Sequence, residues 1–412
     1  MNIFSIIILA ALAVDFILNL TADLYNIKSL NSDLPDEFIG LYDENTYEKS
    51  QQYTKATTRF GIVTSIFNLA VLLAFWFAGG FNWLDQIVRG WELGLIWTGL
   101  VYIGLLVFAK MILSLPFSIY STFVIEERFG FNKTTPKTFV MDMLKGLVLG
   151  ILLGGPLLAG ILAFFTFIDQ FAWLYAWAAV TVFTLLIQFI APRWIMPLFN
   201  KFEPLDEGDL RQKIRNYANK VNFTLEGIYV IDGSKRSEKS NAFFTGFGKN
   251  KRVALFDTLI KNHTDEELVA VLAHEIGHYK KKHIIKNMAA SILQTGVMFL
   301  LLSIFLHASG LYEAFYMEQA SVYAGLIFFG LLYAPVELIL SIFMQLFSRK
   351  HEFEADEYAA TTYAPEPMIA GLKKLSKDNL SNLTPHPFYV FLNYSHPTML
   401  QRIEAIRDRS KL

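Results

Sequence analysis

The sequence predicts a mostly α-helical membrane protein with a smaller α+β region outside the bilayer. Of the 412 residues, 53% are hydrophobic and only 18% are charged, whereas soluble domains have about 45–50% apolar and about 25% charged residues. Mean hydropathy is positive, at +0.37. Seven stretches are long and apolar enough to cross a bilayer core, which takes about 20 residues. Three short β-type segments lie together between the fifth and sixth of these stretches.

The seven predicted spans are separated into five and two by a long polar insert. In chain order they are residues 2–19, 61–80, 93–116, 145–168, 170–190, 289–307 and 322–346. We therefore expect a membrane region over residues 1–192, a polar insert over 193–288, two further spans over 289–347 and a C-terminal tail over 348–412.

The distribution of basic residues predicts which side of the membrane each segment faces. Lys and Arg are frequent after the third, fifth and seventh spans, and they are rare after the second, fourth and sixth. Cytoplasmic loops are the ones enriched in Lys and Arg. We therefore expect the insert and the tail to be cytoplasmic and the N-terminus to lie outside.

Charge and cysteine content exclude several classes of function. The net charge of −1 provides no overall field that would attract nucleic acid. The chain contains no cysteine, so disulfides, thiolate catalysis and cysteine-ligated zinc sites are excluded.

The strongest chemical signal is the pentapeptide His274-Glu275-Ile276-Gly277-His278. Residues four apart lie on one face of a helix, so both imidazoles can bind a single ion, and Glu275 lies close enough to act as general base on a water molecule. Thr264 and Glu267 form a capping-box pattern at the start of this helix. The alternative interpretation is a structural histidine pair on an amphipathic helix.

A catalytic zinc site needs three protein ligands and an open fourth position. Directly after the last span, Glu352 and Asp356 lie four residues apart and share a helix face. We expect Glu352 to be the third ligand and Asp356 to orient a ligand imidazole. Glu354 lies on a different face and is the weaker candidate. Taken alone, this acidic cluster would be a solvated helix end. Two imidazoles and a carboxylate beside a glutamate base favour one Zn²⁺ ion over iron or manganese.

At these residues the chain resembles the type I CAAX prenyl endopeptidases, integral-membrane zinc metalloproteases of the gluzincin group. The resemblance extends well beyond the metal motif and covers most of the chain from Glu126 onward. The similar segments are residues 126–133, 197–202, 234–237, 240–243, 250–259 and 395–397.

The resemblance implies a barrel of seven helices around a water-filled chamber, closed by a cytoplasmic zincin-like catalytic region. It also implies that peptide binds beside the metal as an added strand, along Asn241, Ala242 and Phe243. His396 is implied near the substrate carbonyl, and Arg402 near the active-site carboxylates. From the residues alone, His396 would belong to a turn.

Residues 227–232, 240–245 and 252–256 are predicted to form strands, with a turn at 248–250 joining the last two. An exposed strand edge can bind extended peptide through main-chain hydrogen bonds. The alternative is an ordinary hairpin that supports the metal helix. The remaining histidines are expected to be surface or packing residues: His263, His283, His307, His351 and His386.

The predicted function is peptide-bond hydrolysis by a membrane-embedded zinc metalloendopeptidase. The resemblance implies C-terminal processing of prenylated proteins in the endoplasmic reticulum. Proteolysis of membrane or unfolded proteins without a prenyl requirement, in a bacterial inner membrane, is the alternative. A transporter and an inactive scaffold are alternatives of a different class. Expected partners are a peptide or protein substrate, prenylated or not, and membrane lipid, with no nucleic acid.

Overall fold

The computed structural model describes residues 1–31, 33–168, 170–245 and 252–410 of the protein. Within these ranges the chain forms sixteen α-helices and four short β-strands. In chain order the helices are α1 Ile3–Lys28, α2 Glu44–Phe77, α3 Gly80–Arg89, α4 Leu95–Tyr120, α5 Pro136–Leu149, α6 Gly155–Phe167, α7 Ala172–Ile190, α8 Asp209–Lys220, α9 Asp257–Asn262, α10 Asp265–Lys280, α11 His283–Phe305, α12 Ser309–Glu313, α13 Val322–Thr362, α14 Pro365–Asp378, α15 Pro387–Asn393 and α16 Met399–Ser410.

Seven helical segments of the described chain are long and apolar enough to cross a membrane, which confirms the predicted number. Helices α5 and α6 form one of these segments, because the π-helical turn at Gly150–Gly154 joins them without ending the helix. The segments are Ile3–Lys28, Glu44–Phe77, Leu95–Glu126, Pro136–Phe167, Ala172–Leu198, His283–Phe305 and Val322–Thr362.

Two of these helices extend far beyond their predicted apolar stretches. Helix α2 begins at Glu44, where the Asp43 side chain accepts a hydrogen bond from the Thr46 backbone N–H at 2.8 Å. Helix α13 continues to Thr362. Hydropathy detects only the part of a helix that suits hydrocarbon, whereas the helix itself ends where its backbone is capped. The extension of α13 matters most, because it carries the acidic residues of the tail beyond the apolar part of the span.

The membrane-spanning segments are little buried within the protein. Only 6% to 17% of the residues in the most apolar window of each segment are buried. Helices packed around a filled core would each bury an apolar stripe along their length. Helices that surround a chamber have one face toward lipid and another toward the chamber, and the low burial agrees with that arrangement.

A four-stranded sheet forms outside the predicted spans, with strands β1 Phe202–Pro204, β2 Gly227–Ile231, β3 Ala242–Thr245 and β4 Arg252–Phe256 in the order β1-β2-β4-β3. β2 and β4 are parallel, and the other pairs are antiparallel. β3 is therefore an edge strand of the described sheet. β1 was not predicted, because three residues are too few to produce an alternating pattern. The turn predicted at 248–250 lies outside the described residues.

Helix α10 is packed between the sheet and the C-terminal helices. Leu268, Val269 and Leu272 are fully buried in a core that also contains Leu255 of β4 and Ile403 of α16. Val271, on the same helix, is partly exposed. Burial on several sides fixes the rotation of α10, and so the direction in which its polar residues point.

Candidate metal centre

The start of helix α10 is held by the predicted capping box. The Thr264 backbone N–H donates to Glu267 Oε2 at 2.9 Å, and the Thr264 side chain accepts from the Glu267 backbone N–H at 3.4 Å. Both bonds satisfy N–H groups that have no partner inside the helix. Because the first turn is fixed, the positions of the two histidines later in the helix are fixed as well.

The structure places the two histidines of α10 side by side. The Nε2 atoms of His274 and His278 lie 3.1 Å apart. His274 is buried, and His278 is partly exposed. Two neutral imidazole nitrogens this close, facing the same point, can both be ligands of one metal ion.

Glu352 of α13 is the third candidate metal ligand and lies beside the two histidines. Its Oε2 lies 3.4 Å from His274 Nε2, and its Oε1 lies 3.3 Å from His278 Nε2. One ligand atom from each of the three residues can be chosen so that all three lie within 4.8 Å of one another. Glu352 Oε2 is buried and has no hydrogen-bond partner within the described chain. A buried carboxylate oxygen without a partner is costly unless something else binds it.

These distances fit a zinc ion. Zn–N and Zn–O bonds of about 2.0–2.1 Å in a tetrahedral site place the ligand atoms roughly 3.3 Å apart. The two Nε2 atoms lie 3.1 Å apart, and each lies 3.3–3.4 Å from a carboxylate oxygen of Glu352, Oε2 for His274 and Oε1 for His278. The donor set is two imidazoles and one carboxylate, which leaves a fourth tetrahedral position free of protein ligands.

Gly277 allows α10 and α13 to approach closely enough for Glu352 to lie beside the two histidines. A Cβ atom at position 277 would lie 3.1 Å from the Cα and backbone oxygen of Ala355, and equally close to the Tyr358 Cβ. Such contacts are tighter than most Cβ atoms make in packed proteins, so α10 and α13 would have to shift slightly apart. Ala355 lies between Glu352 and Asp356 in the sequence of α13, so the contact with Gly277 is next to the acidic residues of the candidate metal site.

Asp356 lies behind His274. Its Oδ1 is 2.8 Å from His274 Nδ1, on the far side of the ring from the candidate ligand atom. Arg402 of α16 donates from Nε to Asp356 Oδ2 at 2.8 Å and from Nη2 to Oδ1 at 2.6 Å. The Arg402 Nη1 also lies 3.7 Å from Glu352 Oε2. The two-point contact between guanidinium and carboxylate holds Asp356, and Asp356 in turn sets the orientation of the imidazole.

Glu275 follows His274 on α10 and is partly exposed. Burial raises the pKa of Glu275 above its usual value, against the opposing effect of the neighbouring histidines. A carboxylate with a raised pKa is a stronger base and a more effective proton shuttle near neutral pH than an ordinary surface glutamate.

His396 approaches the candidate metal ligands from the loop before α16. Its Nε2 lies 3.4 Å from Glu352 Oε1, and its side chain is 59% exposed. Its Nδ1 is within 2.9 Å of Ser395 Oγ. The exposure leaves the ring accessible to a substrate at the metal.

The predicted edge strand lies beside the metal helix. Phe244 of β3 contacts Tyr279 of α10, with ring centroids 6.1 Å apart. Asn241 precedes the strand, and its carbonyl accepts a hydrogen bond from the Phe256 backbone N–H at 3.1 Å, which extends the pairing with β4 by one residue. Ala242 and Phe243 begin β3 itself. One side of β3 is thus paired with β4, and no described strand pairs with its other side.

His283 has a contact at the site that sequence reasoning missed. It was grouped with surface and packing residues, and it is indeed buried. In addition, its Nδ1 lies 3.0 Å from Nδ1 of the candidate ligand His278. Sequence spacing gave no signal for this contact, because residues five apart do not share a helix face.

Two family models match the chain. The first, described as the five-helix N-terminal membrane region of CAAX prenyl proteases, matches residues 23–201. The second, peptidase family M48, matches residues 204–410. Similar curated proteins include CAAX prenyl protease 1 of Saccharomyces cerevisiae, which is 36% identical over 92% of this chain and 89% of its own length. The probable CAAX prenyl protease 1 of Schizosaccharomyces pombe is 38% identical over 88% of this chain and 80% of its own.

A solved structure shares the whole fold. The crystal structure of S. mikatae Ste24p superposes with a TM-score of 0.93 at 35% sequence identity, and the match covers 98% of this chain and 99% of that one. The likeness therefore extends over the predicted spans, the sheet and the C-terminal helices together.

Proposed function

The chain belongs to peptidase family M48 and is a membrane metalloendopeptidase, and on that premise we propose that it uses one zinc ion to process prenylated proteins at their C-terminal CAAX sequence. The observation that carries the proposal is the convergence of His274, His278 and Glu352 at distances that suit zinc. The names of the two yeast relatives, both CAAX prenyl proteases matched along most of their length, support the choice of substrate.

His274, His278 and Glu352 would hold the ion. When bound, zinc supplies Lewis-acid chemistry that polarises the scissile carbonyl and makes water a better nucleophile at neutral pH. Asp356 keeps the His274 ring in its ligating orientation by accepting the Nδ1 proton, and Arg402 keeps Asp356 in place.

Glu275 acts as general base and then as general acid. It takes a proton from the attacking water and later gives it to the amine that leaves. The carboxylate must accept the proton readily and still release it.

Substrate recognition uses main-chain contacts along β3 together with His396. An extended peptide that pairs with the free side of β3 at Asn241, Ala242 and Phe243 would be held mainly by backbone hydrogen bonds. The exposed His396 would donate a hydrogen bond to the oxygen that gains charge as the peptide bond is attacked.

The catalytic region faces the cytoplasm in this proposal, and the membrane is that of the endoplasmic reticulum. The support for the cytoplasmic side is the excess of Lys and Arg in the 193–288 segment and after the seventh span. A prenylated substrate would reach the site from the cytoplasmic leaflet, with its lipid in the bilayer or the chamber.

The test compares Glu275→Gln with the wild-type protein on peptide pairs that differ only in the prenyl group. We expect the wild type to cleave the prenylated peptide preferentially, and the variant to bind zinc normally but cleave at least about 10²-fold more slowly. An unchanged rate in Glu275→Gln would refute the assignment of the base. Equal cleavage of both peptides would refute the prenyl preference and favour general proteolysis of membrane or unfolded proteins.

A further inference from the structure

A buried histidine and glutamate lie directly behind the candidate ligand His278. His283 is 1% exposed. Its Nδ1 is 3.0 Å from His278 Nδ1, and its Nε2 is 2.9 Å from Glu354 Oε2 on α13. The three side chains therefore form a continuous chain of polar contacts that ends at the metal group.

The backbone between α10 and α11 is shaped to bring His283 there. His283 follows His278 by five residues, and on one continuous helix the two would point about 140° apart. Lys282, between the helices, has a left-handed backbone with φ of +61°. Residues other than glycine seldom adopt this conformation. The resulting reversal turns His283 back onto His278.

The His283 ring is also held by a stacking contact on one of its faces. His351 stacks on it, with ring centroids 4.0 Å apart and an interplanar angle of 13°. His351 immediately precedes Glu352 on α13. The same helix thus supplies a metal ligand, the stacking ring and Glu354, so its position fixes all three relative to one another.

The hydrogen positions follow from the geometry. His278 Nε2 faces His274 and Glu352, so Nε2 is the atom available to a metal, and a neutral ring then carries its hydrogen on Nδ1. Two Nδ1 atoms 3.0 Å apart can form a hydrogen bond only if one of them carries a hydrogen and donates it to the other. His278 Nδ1–H therefore donates to His283 Nδ1, and His283 Nε2–H donates to the Glu354 carboxylate.

We propose that His283 is a positioning residue that holds His278 in its ligating tautomer and orientation, with Glu354 as its anchor. The inference rests on the proposed metal site. It gives His278 a supporting partner, as Asp356 supports His274. Outer partners of this kind typically change metal affinity or activity by about 10- to 100-fold when they are removed. The competing explanation is that His283 and Glu354 only tie α11 to α13.

Two substitutions of His283 separate these explanations. In His283→Asn the side-chain oxygen lies near the position of Nδ1, so it can still accept from His278 but cannot reach Glu354. In His283→Gln the side-chain nitrogen lies near the position of Nε2, so it can still donate to Glu354 but leaves His278 without an acceptor. Zinc affinity is measured by competition with a chelator, and the Co²⁺-substituted protein reports ligand geometry by its absorption spectrum.

We expect His283→Asn, which keeps an acceptor for His278 but loses the anchor, to lose about tenfold in zinc affinity, as Glu354→Ala does. We expect His283→Gln, which leaves His278 without an acceptor, to lose about 100-fold, with a shifted cobalt spectrum. The reverse order, or equal affinities, would overturn the proposal and leave the metal site itself intact. His263→Asn is the control. His263 is a buried histidine whose ring nitrogens contact the Leu259 and Gly371 carbonyls, so its loss should lower thermal stability without changing zinc affinity.

Glu354→Ala provides a second measurement if a His283 variant does not fold. This side chain is 26% exposed, so its truncation disturbs packing little, and we expect zinc affinity to fall by about tenfold. Unchanged affinity in Glu354→Ala would overturn the role of the anchor. A wild-type protein that binds no zinc would instead overturn the proposed function on which this inference rests.

Discussion

The close approach of α10 and α13 at Gly277 predicts a specific effect of Gly277→Ala on both stability and metal binding. A new Cβ would lie 3.1 Å from backbone atoms of Ala355, and backbone cannot move aside as a flexible side chain can. Overpacking of this kind costs about 1–3 kcal/mol. The gain in helix propensity from glycine to alanine offsets about 1 kcal/mol. The net change is a loss of roughly 0–2 kcal/mol in the free energy of unfolding.

Gly371→Ala on α14 is the matched control. It makes the same chemical change within a helix, but its nearest contact would be the Glu267 Cβ at 3.6 Å, an ordinary van der Waals distance. The free energy of unfolding of this variant should rise by about 1 kcal/mol. The two alanine variants should therefore differ by about 1–3 kcal/mol in stability.

Metal affinity should separate the two variants as well. Separating α10 from α13 moves Glu352 away from the two histidines, so we expect zinc affinity to fall by about tenfold in Gly277→Ala and to stay unchanged in Gly371→Ala. The assays are thermal unfolding in detergent, with zinc and with a chelator, and competition for zinc. Equal thermal midpoints and equal zinc affinities in the two variants would refute the reasoning, because they would show that the helices do not need this contact to assemble the site.

Three further predictions concern the metal site and its partners. Asp356→Asn should weaken zinc binding about 10- to 100-fold and lower thermal stability, because buried Arg402 loses its charged partner; unchanged zinc affinity would exclude the orienting role. Chelation should abolish cleavage and lower the thermal midpoint, and zinc at about 100 times its Kd should raise the free energy of unfolding again by about 2.7 kcal/mol. Cleavage that persists without metal would contradict the hydrolytic assignment. His396→Ala should lower kcat by about 10²–10³-fold with little change in KM; a rise in KM alone would indicate a role in binding only.

The metal helix and the spans could be predicted from the sequence because their determinants are local. The capping box between Thr264 and Glu267 lies within one turn of helix, and it forms as predicted. The two histidines of α10 share a face because of helical periodicity alone. The seven spans follow from the length and composition of each stretch taken by itself.

The strands could be predicted only in part. Three of the four were located from β-type composition, but β1 at Phe202–Pro204 was not, because it is a strand only through its pairing with β2. Helix lengths beyond the apolar stretches, such as the continuation of α13 to Thr362, were also missed, since hydropathy describes the surroundings of a helix and not its ends.

By itself, the sequence determined that the chain has seven membrane-spanning helices and a helix with two histidines on one face, since both depend on residues within a few positions of each other. Only the tertiary structure decided that Glu352 meets those histidines, because that contact requires two helices to approach as closely as Gly277 permits. It also decided that His283 lies against His278, because the left-handed turn at Lys282 and the stacking of His351 depend on packing that no local pattern encodes. Periodicity determines which face a residue occupies, and packing determines what that face meets.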